Sequence, residues 1–265
     1  MSKQLLIYDS AAPVSRQRHA DLSVKAGTDF SFAKTLNSVP LTAGELRRAT
    51  ADYVVVFAGE GDNVMPVAIL GTEPGRNLFV KENGAWDRTY MPAFFRRYPF
   101  VFATGSDGKT FTVCVDEAFS GCNREGRGER LFDADGEHTQ YLDTMVSFLK
   151  EYQAQYLQTR AFCTRLRELG VLEPMQAQFT LPGGVRRGVT GFMAVNRTKL
   201  KALEGEKLAE MARSDELELI YLHLHSLHNF GKMLERIGAQ AQTPPAAEGD
   251  ETRPDLGGDA APAFH

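Results

Sequence analysis

The sequence Trp86-Asp-Arg-Thr-Tyr90-Met-Pro-Ala-Phe-Phe-Arg-Arg-Tyr-Pro-Phe100 concentrates the residues best suited to recognition chemistry. It holds the chain's one tryptophan and the adjacent cations Arg96 and Arg97. A guanidinium stays charged at every physiological pH, and its planar fork of donors matches a carboxylate. An aromatic face beside it adds cation–π attraction. Trp86, Tyr90, Arg96, Arg97 and Tyr98 are therefore the candidate ligand-binding residues, suited to a peptide terminus, a sugar acid or the acidic loop of a partner. The same segment also reads as a core wedge, with Phe94, Phe95 and Phe100 buried and the arginines solvated or paired to acids.

Bond-making chemistry has weaker candidates. Asp116 and Glu117 offer two acids at a strand end, yet neighbours on a strand point to opposite faces and make no acid/base pair without a turn. With His223 they form the alternative polar site of an enzyme whose residues are dispersed around a cleft. His223, His225 and His228 share one helical stretch. At about 100° per residue, His223 and His228 flank its leucine stripe on opposite edges and His225 points away, so one straight helix does not bring all three to one ion. No metal site is assigned and no cofactor is expected. The glycines at 121, 126 and 128 lack the Gly-Lys-Ser/Thr ending of a phosphate loop. Neither a Gly-x-Ser-x-Gly elbow nor a His-Glu-x-x-His motif is present.

Composition narrows the classes. The 265 residues are 43% hydrophobic and 24% charged, as in an ordinary globular protein, and the net charge of −4 gives no general attraction to nucleic acid. Cys114, Cys122 and Cys163 form no Cys-x-x-Cys, so neither a zinc knuckle nor a disulfide framework is indicated, and free thiols suit a reducing compartment. No export signal is read in the short apolar run at 5–8, and no apolar stretch approaches the ~20 residues of a membrane span. A cytoplasmic location without membrane insertion is the expectation.

The elements that must position these residues begin with an arm over 1–20 that docks on the body. β-Branched runs predict strands at 50–58 and 64–70, and a hairpin at 78–86 turning on Asn83-Gly84. After Pro92, one helical turn precedes Pro99, and a hairpin at 100–115 turns through Gly105-Ser-Asp-Gly108. The glycine-rich stretch 120–130 reads as a mobile loop. A long helix runs from about 139 to 169 and stops at Gly170, with Leu142, Met145, Leu149, Tyr152, Tyr156, Phe162, Leu166 and Leu169 as its apolar stripe. A further hairpin at 175–195 turns on Pro182-Gly-Gly184. Asn196 caps a short helix, and another covers 206–213. Asp215-Glu-Leu-Glu218 then reads as a capping box opening a last helix that ends near Gly238. Residues 239–265, rich in Ala, Pro, Gly and acid, read as a disordered tail.

Several blocks of this chain resemble the SapC family of bacterial proteins, named for a component of a surface-layer protein locus and unrelated to saposin C. The clearest is Trp86 with Tyr90-Met-Pro-Ala-Phe-Phe-Arg-Arg-Tyr-Pro-Phe100. Others are Asn37-Ser-Val-Pro-Leu-Thr-Ala-Gly-Glu45, Asp52-Tyr-Val-Val-Val-Phe57 and Ile220-Tyr-Leu-His-Leu-His-Ser-Leu227, with blocks at 66–71, 77–80, 131–136, 159–163 and 169–174. Their order and spacing match over roughly residues 20–236. His223 stands at the family's usual histidine position, whereas His225 and His228 depart from it. The resemblance implies a role around surface-layer export or outer-membrane receptor systems. Relatives occur beside genes for TonB-dependent receptors, cupin-like proteins and tryptophan-halogenase-like flavoproteins. It supplies no catalytic residues.

The expected fold is α+β: an antiparallel, meander-like sheet from the first half, packed by the long central helix and the C-terminal helices. One domain is expected over 1–238, sheet-rich to 135 and helix-rich from 136. The expected function is that of a cytoplasmic accessory or binding protein for a peptide, glycan-related ligand or protein partner. An enzyme acting on a peptide or small molecule is the alternative. A structural subunit of a homo-oligomer is a third reading, for which a large exposed apolar patch would speak.

Overall fold

Antiparallel pairing divides the strands of the described residues among three sheets. The computed structural model describes residues 7–105, 110–180 and 186–242. In chain order the elements are β1 (Ala11–Pro13), α1 (Arg16–His19), β2 (Ser23–Val24), β3 (Ser38–Pro40), α2 (Leu46–Asp52), β4 (Val54–Ala58), β5 (Met65–Ile69), α3 (Ala93–Arg96), β6 (Phe100–Thr104) and β7 (Phe111–Asp116). They continue with β8 (Cys122–Asn123), β9 (Glu129–Arg130), α4 (Gln140–Glu168), β10 (Leu172–Thr180), β11 (Arg186–Val195), α5 (Arg197–Lys201), α6 (Gly205–Arg213), α7 (Glu216–Ser226) and α8 (Asn229–Gln242). The class is α+β, with antiparallel sheets packed by the long helix and the C-terminal helices.

The main sheet has the order β10-β11-β4-β5-β3. Val54, Val55, Val56 and Phe57 of its central strand are all buried, the pattern of a strand covered on both faces. A second sheet, β1-β7-β6, receives the N-terminal arm: Ala11 pairs with Asp116 and Pro13 with Cys114. The first half therefore does not form one continuous meander. Its strands split among three sheets, the third being β8-β2-β9, and the β10/β11 hairpin of the second half completes the largest one. Local periodicity names strands, but which strands meet is decided by long-range burial.

Helix α4 joins these layers. Its 29 residues span about 44 Å at ~1.5 Å per residue. Thr139 caps it through its side chain, and Gly170, at φ +65°, takes the left-handed conformation that ends it. Leu142 and Leu149 pack with Phe100, Val115 and Leu131 near one end. Phe162, Cys163 and Leu166 pack with Phe57 and Val195 near the other. Cys163 is buried, as expected of a small core residue, and burial pushes its thiol up to about 12.

Other expectations change. The strand expected from Thr50 begins at Val54, because Leu46, Ala49 and Thr50 form the buried face of α2. The Asn83-Gly84 hairpin contracts to a single bridge between Val80 and Trp86. The 120–130 loop is built around β2, flanked by β8 and β9, and Asn123 Nδ2 donates to the carbonyls of Ser23, Gly121 and Arg127. A Cβ on Gly121 or Gly128 would lie within 2.3 Å of a β2-segment carbonyl, so these glycines serve close backbone approach. Asp215 sits at φ +60° with no side-chain cap, and Glu218 bonds Arg47 instead. The last helix is broken at Leu227-His228, where Phe230 and Gly231 N–H reach back three residues, and its second part runs to Gln242 rather than Gly238. The tail expected from 239 therefore begins as helix over 239–242, and its remainder at 243–265, residues 1–6 of the arm and the turn residues 106–109 and 182–184 lie outside the described residues.

Candidate functional site

The Trp86–Phe100 segment divides between core and surface. Trp86 is half-buried. Its indole N–H reaches Tyr53 Oη at 3.0 Å and the Tyr90 carbonyl at 3.2 Å, and its ring packs against Phe79 and Phe95. Phe94, Phe95 and Phe100 are buried, as the wedge reading expects. Arg97 is buried as well, its guanidinium 4.5 Å from the Phe94 ring centroid, 4.7 Å from Tyr152 and 5.7 Å from Tyr8. A buried cation enclosed by rings does not reach an external ligand. Arg96, one residue earlier, is exposed. Its guanidinium lies 5.2 Å from the Phe148 ring centroid and 5.9 Å from Tyr90, and its Nε donates to the Met91 carbonyl at 3.1 Å.

Arg96 is shared by two clefts. The first, of about 480 Å³, includes Arg48, Tyr90, Phe148, Glu151, Tyr152 and Gln155 in its lining. Residues 148, 151, 152 and 155 recur at three- and four-residue spacing, so one face of α4 forms a wall. Thr159, one turn on, accepts the Ala43 N–H at 2.7 Å and fixes the distance between that wall and the start of α2. The second cleft, of about 440 Å³, is aromatic, with Phe30, Phe32, Phe95, Tyr98 and Phe119 in its lining. Tyr98 thus faces this cleft, and Trp86 lines a separate polar opening with Asp52, Arg88 and Lys232.

Glu45 forms the floor of the first cleft without being available to a ligand. Its Oε1 accepts from Tyr90 Oη at 2.8 Å and from the Ala93 N–H at 2.7 Å. Its Oε2 accepts from the Thr42 N–H at 2.7 Å and Thr42 Oγ1 at 3.0 Å. Burial, and then the Glu45 charge, raise the Tyr90 hydroxyl above its ordinary pKa, which keeps it a donor. The cleft's unengaged polar groups are at its rim. Among the described residues, Arg48 and Arg96 pair with no carboxylate and the Gln155 side-chain amide makes no hydrogen bond, whereas Arg47 bonds Glu218 at 3.0 and 2.5 Å.

The alternative polar residues do not converge. Asp116 is fully buried and occupied: it accepts from the N–H groups of Asp9, Ser10 and Ala118 and from Tyr98 Oη, and so holds the N-terminal arm. Glu117 turns outward to Arg18 and to His19 Nε2 at 3.1 Å; the Arg18 hydrogen bonds bring its carboxyl down to about 2. His223 lies in a different core, against Phe57. Its Nε2 accepts the Val195 N–H at 3.1 Å, which places its proton on Nδ1, 2.8 Å from the Val55 carbonyl. His225 and His228 have ring centroids 4.3 Å apart. No cluster of three or more His, Cys, Asp or Glu that could hold a metal occurs among the described residues.

Sequence reasoning did not single out Glu45, Arg48, Phe148 or Gln155. Thr42-Ala-Gly-Glu45 is a legible capping box, and the structure shows both of its reciprocal bonds. That signal locates α2 and Arg48. The facing residues of α4 carry no local signal, because their meeting with Arg96 is tertiary.

The model of one protein family, described as SapC, matches residues 14–233. No curated protein and no solved structure matches the chain. No described helix is long and apolar enough to cross a membrane.

Proposed function

The chain belongs to the SapC family, and from that premise we propose that it is an accessory or binding protein whose contact site is the pair of clefts divided by Arg96. Its ligand carries an acidic group and comes from a peptide, a glycan-related molecule or a partner protein. The observation that supports this is the exposed Arg96 guanidinium, seated against Tyr90 and Phe148 with no carboxylate partner among the described residues. Such a cation is held in place while its outer donors stay available. The family's tie to surface-layer and outer-membrane receptor systems makes an envelope component the natural source of that ligand, met on the cytoplasmic side. The enzymatic alternative built on Asp116, Glu117 and His223 loses its motivation, since Asp116 is buried, Glu117 turns outward and His223 lies in a different core, each with its polar atoms engaged.

Calorimetric titration with short acidic peptides and with uronic-acid oligosaccharides tests the reading. Binding that falls at least tenfold in Arg96→Gln supports it. Unchanged affinity for every acidic ligand in that variant removes the segment as a contact site. Arg97 is left intact in this test, because its side chain belongs to the core.

A further inference from the structure

We infer that the two clefts read the free C-terminus of a peptide ending in an apolar residue, an inference that rests on the acidic-ligand reading and narrows it. The terminal carboxylate lies between Arg48 and Arg96, and the last side chain enters the aromatic cleft on the far side of Arg96.

The arginines of the first cleft carry the charge argument. Arg48 on α2 and Arg96 on α3 line it together, and among the described residues neither meets a carboxylate. Other exposed arginines are neutralised by acids: Arg18 by Glu117, Arg47 by Glu218, Arg124 by Asp21, Arg127 by Glu125 and Arg167 by Asp62. Two unpaired guanidinium groups around one cleft complement a single anion, and the planar fork of each favours a carboxylate.

The opposite wall carries the peptide argument. Glu151 and Gln155 project from the same face of α4 into this cleft, and among the described residues the Gln155 side-chain amide has no hydrogen bond. A terminal residue presents, next to its carboxylate, one N–H and the preceding C=O. Glu151 accepts the first and the Gln155 amide donates to the second. An alkanoic acid would leave both groups unused. The second cleft then supplies the preference for an apolar side chain, since Phe30, Phe32, Phe95, Phe119 and Met145 surround it. A sugar acid does not use that surface.

The experiment is calorimetry on the full chain with N-acetyl-Gly-Gly-Phe as free acid, the same peptide as C-terminal amide, N-acetyl-Gly-Gly-Gly as free acid, and decanoate. The expected result is that the Phe acid binds, that the amide and the Gly acid bind at least tenfold more weakly, and that Arg48→Gln and Arg96→Gln each weaken the Phe acid at least tenfold. Thermal melting of both variants should match the parent, as both side chains are exposed. Equal affinity of acid and amide, equal affinity of decanoate, or no binding of the Phe acid at millimolar concentration overturns the inference. The amidated peptide N-acetyl-Gly-Asp-Gly separates the two levels. If it binds through Arg96 while the Phe acid does not, only the C-terminal assignment fails; if no acid depends on Arg96, the broader reading fails too.

Discussion

Arg96 and Arg97 are consecutive at the end of α3, yet one guanidinium lies at the surface and the other in the core. Arg96 rests in solvent 5.2 Å from the Phe148 ring centroid, and Arg97 is enclosed 4.5 Å from Phe94 and 4.7 Å from Tyr152. Adjacent helical positions differ by about 100° in direction, so one faces the clefts and the other the interior.

The two arginines should separate binding from folding. Arg96→Gln is expected to change unfolding free energy by no more than about 0.5 kcal/mol, as surface substitutions do. Arg97→Ala empties a space framed by Tyr8, Phe94 and Tyr152 and should cost on the order of 3 kcal/mol. Urea unfolding of both variants checks this, and equal stability of the two would contradict the division.

Gly44→Ala should act on the cleft and spare the fold. A Cβ at Gly44 would meet Gln155 Oε1 at 2.8 Å, the far end of a flexible side chain. The backbone is helical there, so alanine is tolerated or stabilises by about 0.4–1 kcal/mol through the unfolded chain. Gln155 must shift, and affinity for the tripeptide acid should fall. An unchanged or slightly raised melting temperature with weakened titration heats is the expected pair of readings.

His223 should make the fold acid-sensitive. Burial holds its imidazole near a pKa of about 4, below the ordinary 6.5, so the folded state keeps it neutral. The unfolded chain binds the proton first as pH falls, and stability present above pH 6.5 is lost between 6.5 and 4, by about 3 kcal/mol. His223→Gln keeps one donor for Val55 and one acceptor for Val195 and does not titrate. The stability gap between parent and variant should narrow by that amount from pH 7 to pH 4. A constant gap across this range would refute the assignment.

Asp116→Asn should loosen the N-terminal arm. The carboxylate accepts the N–H groups of Asp9 and Ser10 at 2.9 Å each, and an amide nitrogen in place of either oxygen faces a donor with a donor. The expected cost is about 1–3 kcal/mol. Hydrogen exchange resolves it by location: amides of the β1 segment should exchange faster while those of β4 and β5 keep their protection.

His223 shows where sequence reading stops. From the helical wheel it is a histidine beside a leucine stripe, open to metal, catalytic or packing roles. The structure gives it a backbone role: β11 pairs with β4 through Met193 and Phe57, and nearby His223 bonds the Val55 carbonyl and Ser226 Oγ accepts the Val55 N–H at 3.0 Å. The helix thereby satisfies polar groups of a buried strand, which must be bonded somewhere. No one-dimensional pattern contains that requirement, since it arises only when strand and helix meet.

What the sequence by itself determined is local or familial. The stripe from Leu142 to Leu166 and the caps at Thr139 and Gly170 specify α4, because helical period and terminal hydrogen bonding act within a few residues. The Tyr90–Phe100 block carries the lineage. The tertiary structure alone decided that Arg97 enters the core, that Asp116 holds the arm, and that Arg48, Arg96 and Gln155 face one cleft. Those outcomes depend on contacts between residues far apart in the chain, such as Thr159 with Ala43, and local propensity carries no information about which distant surfaces will exclude water together.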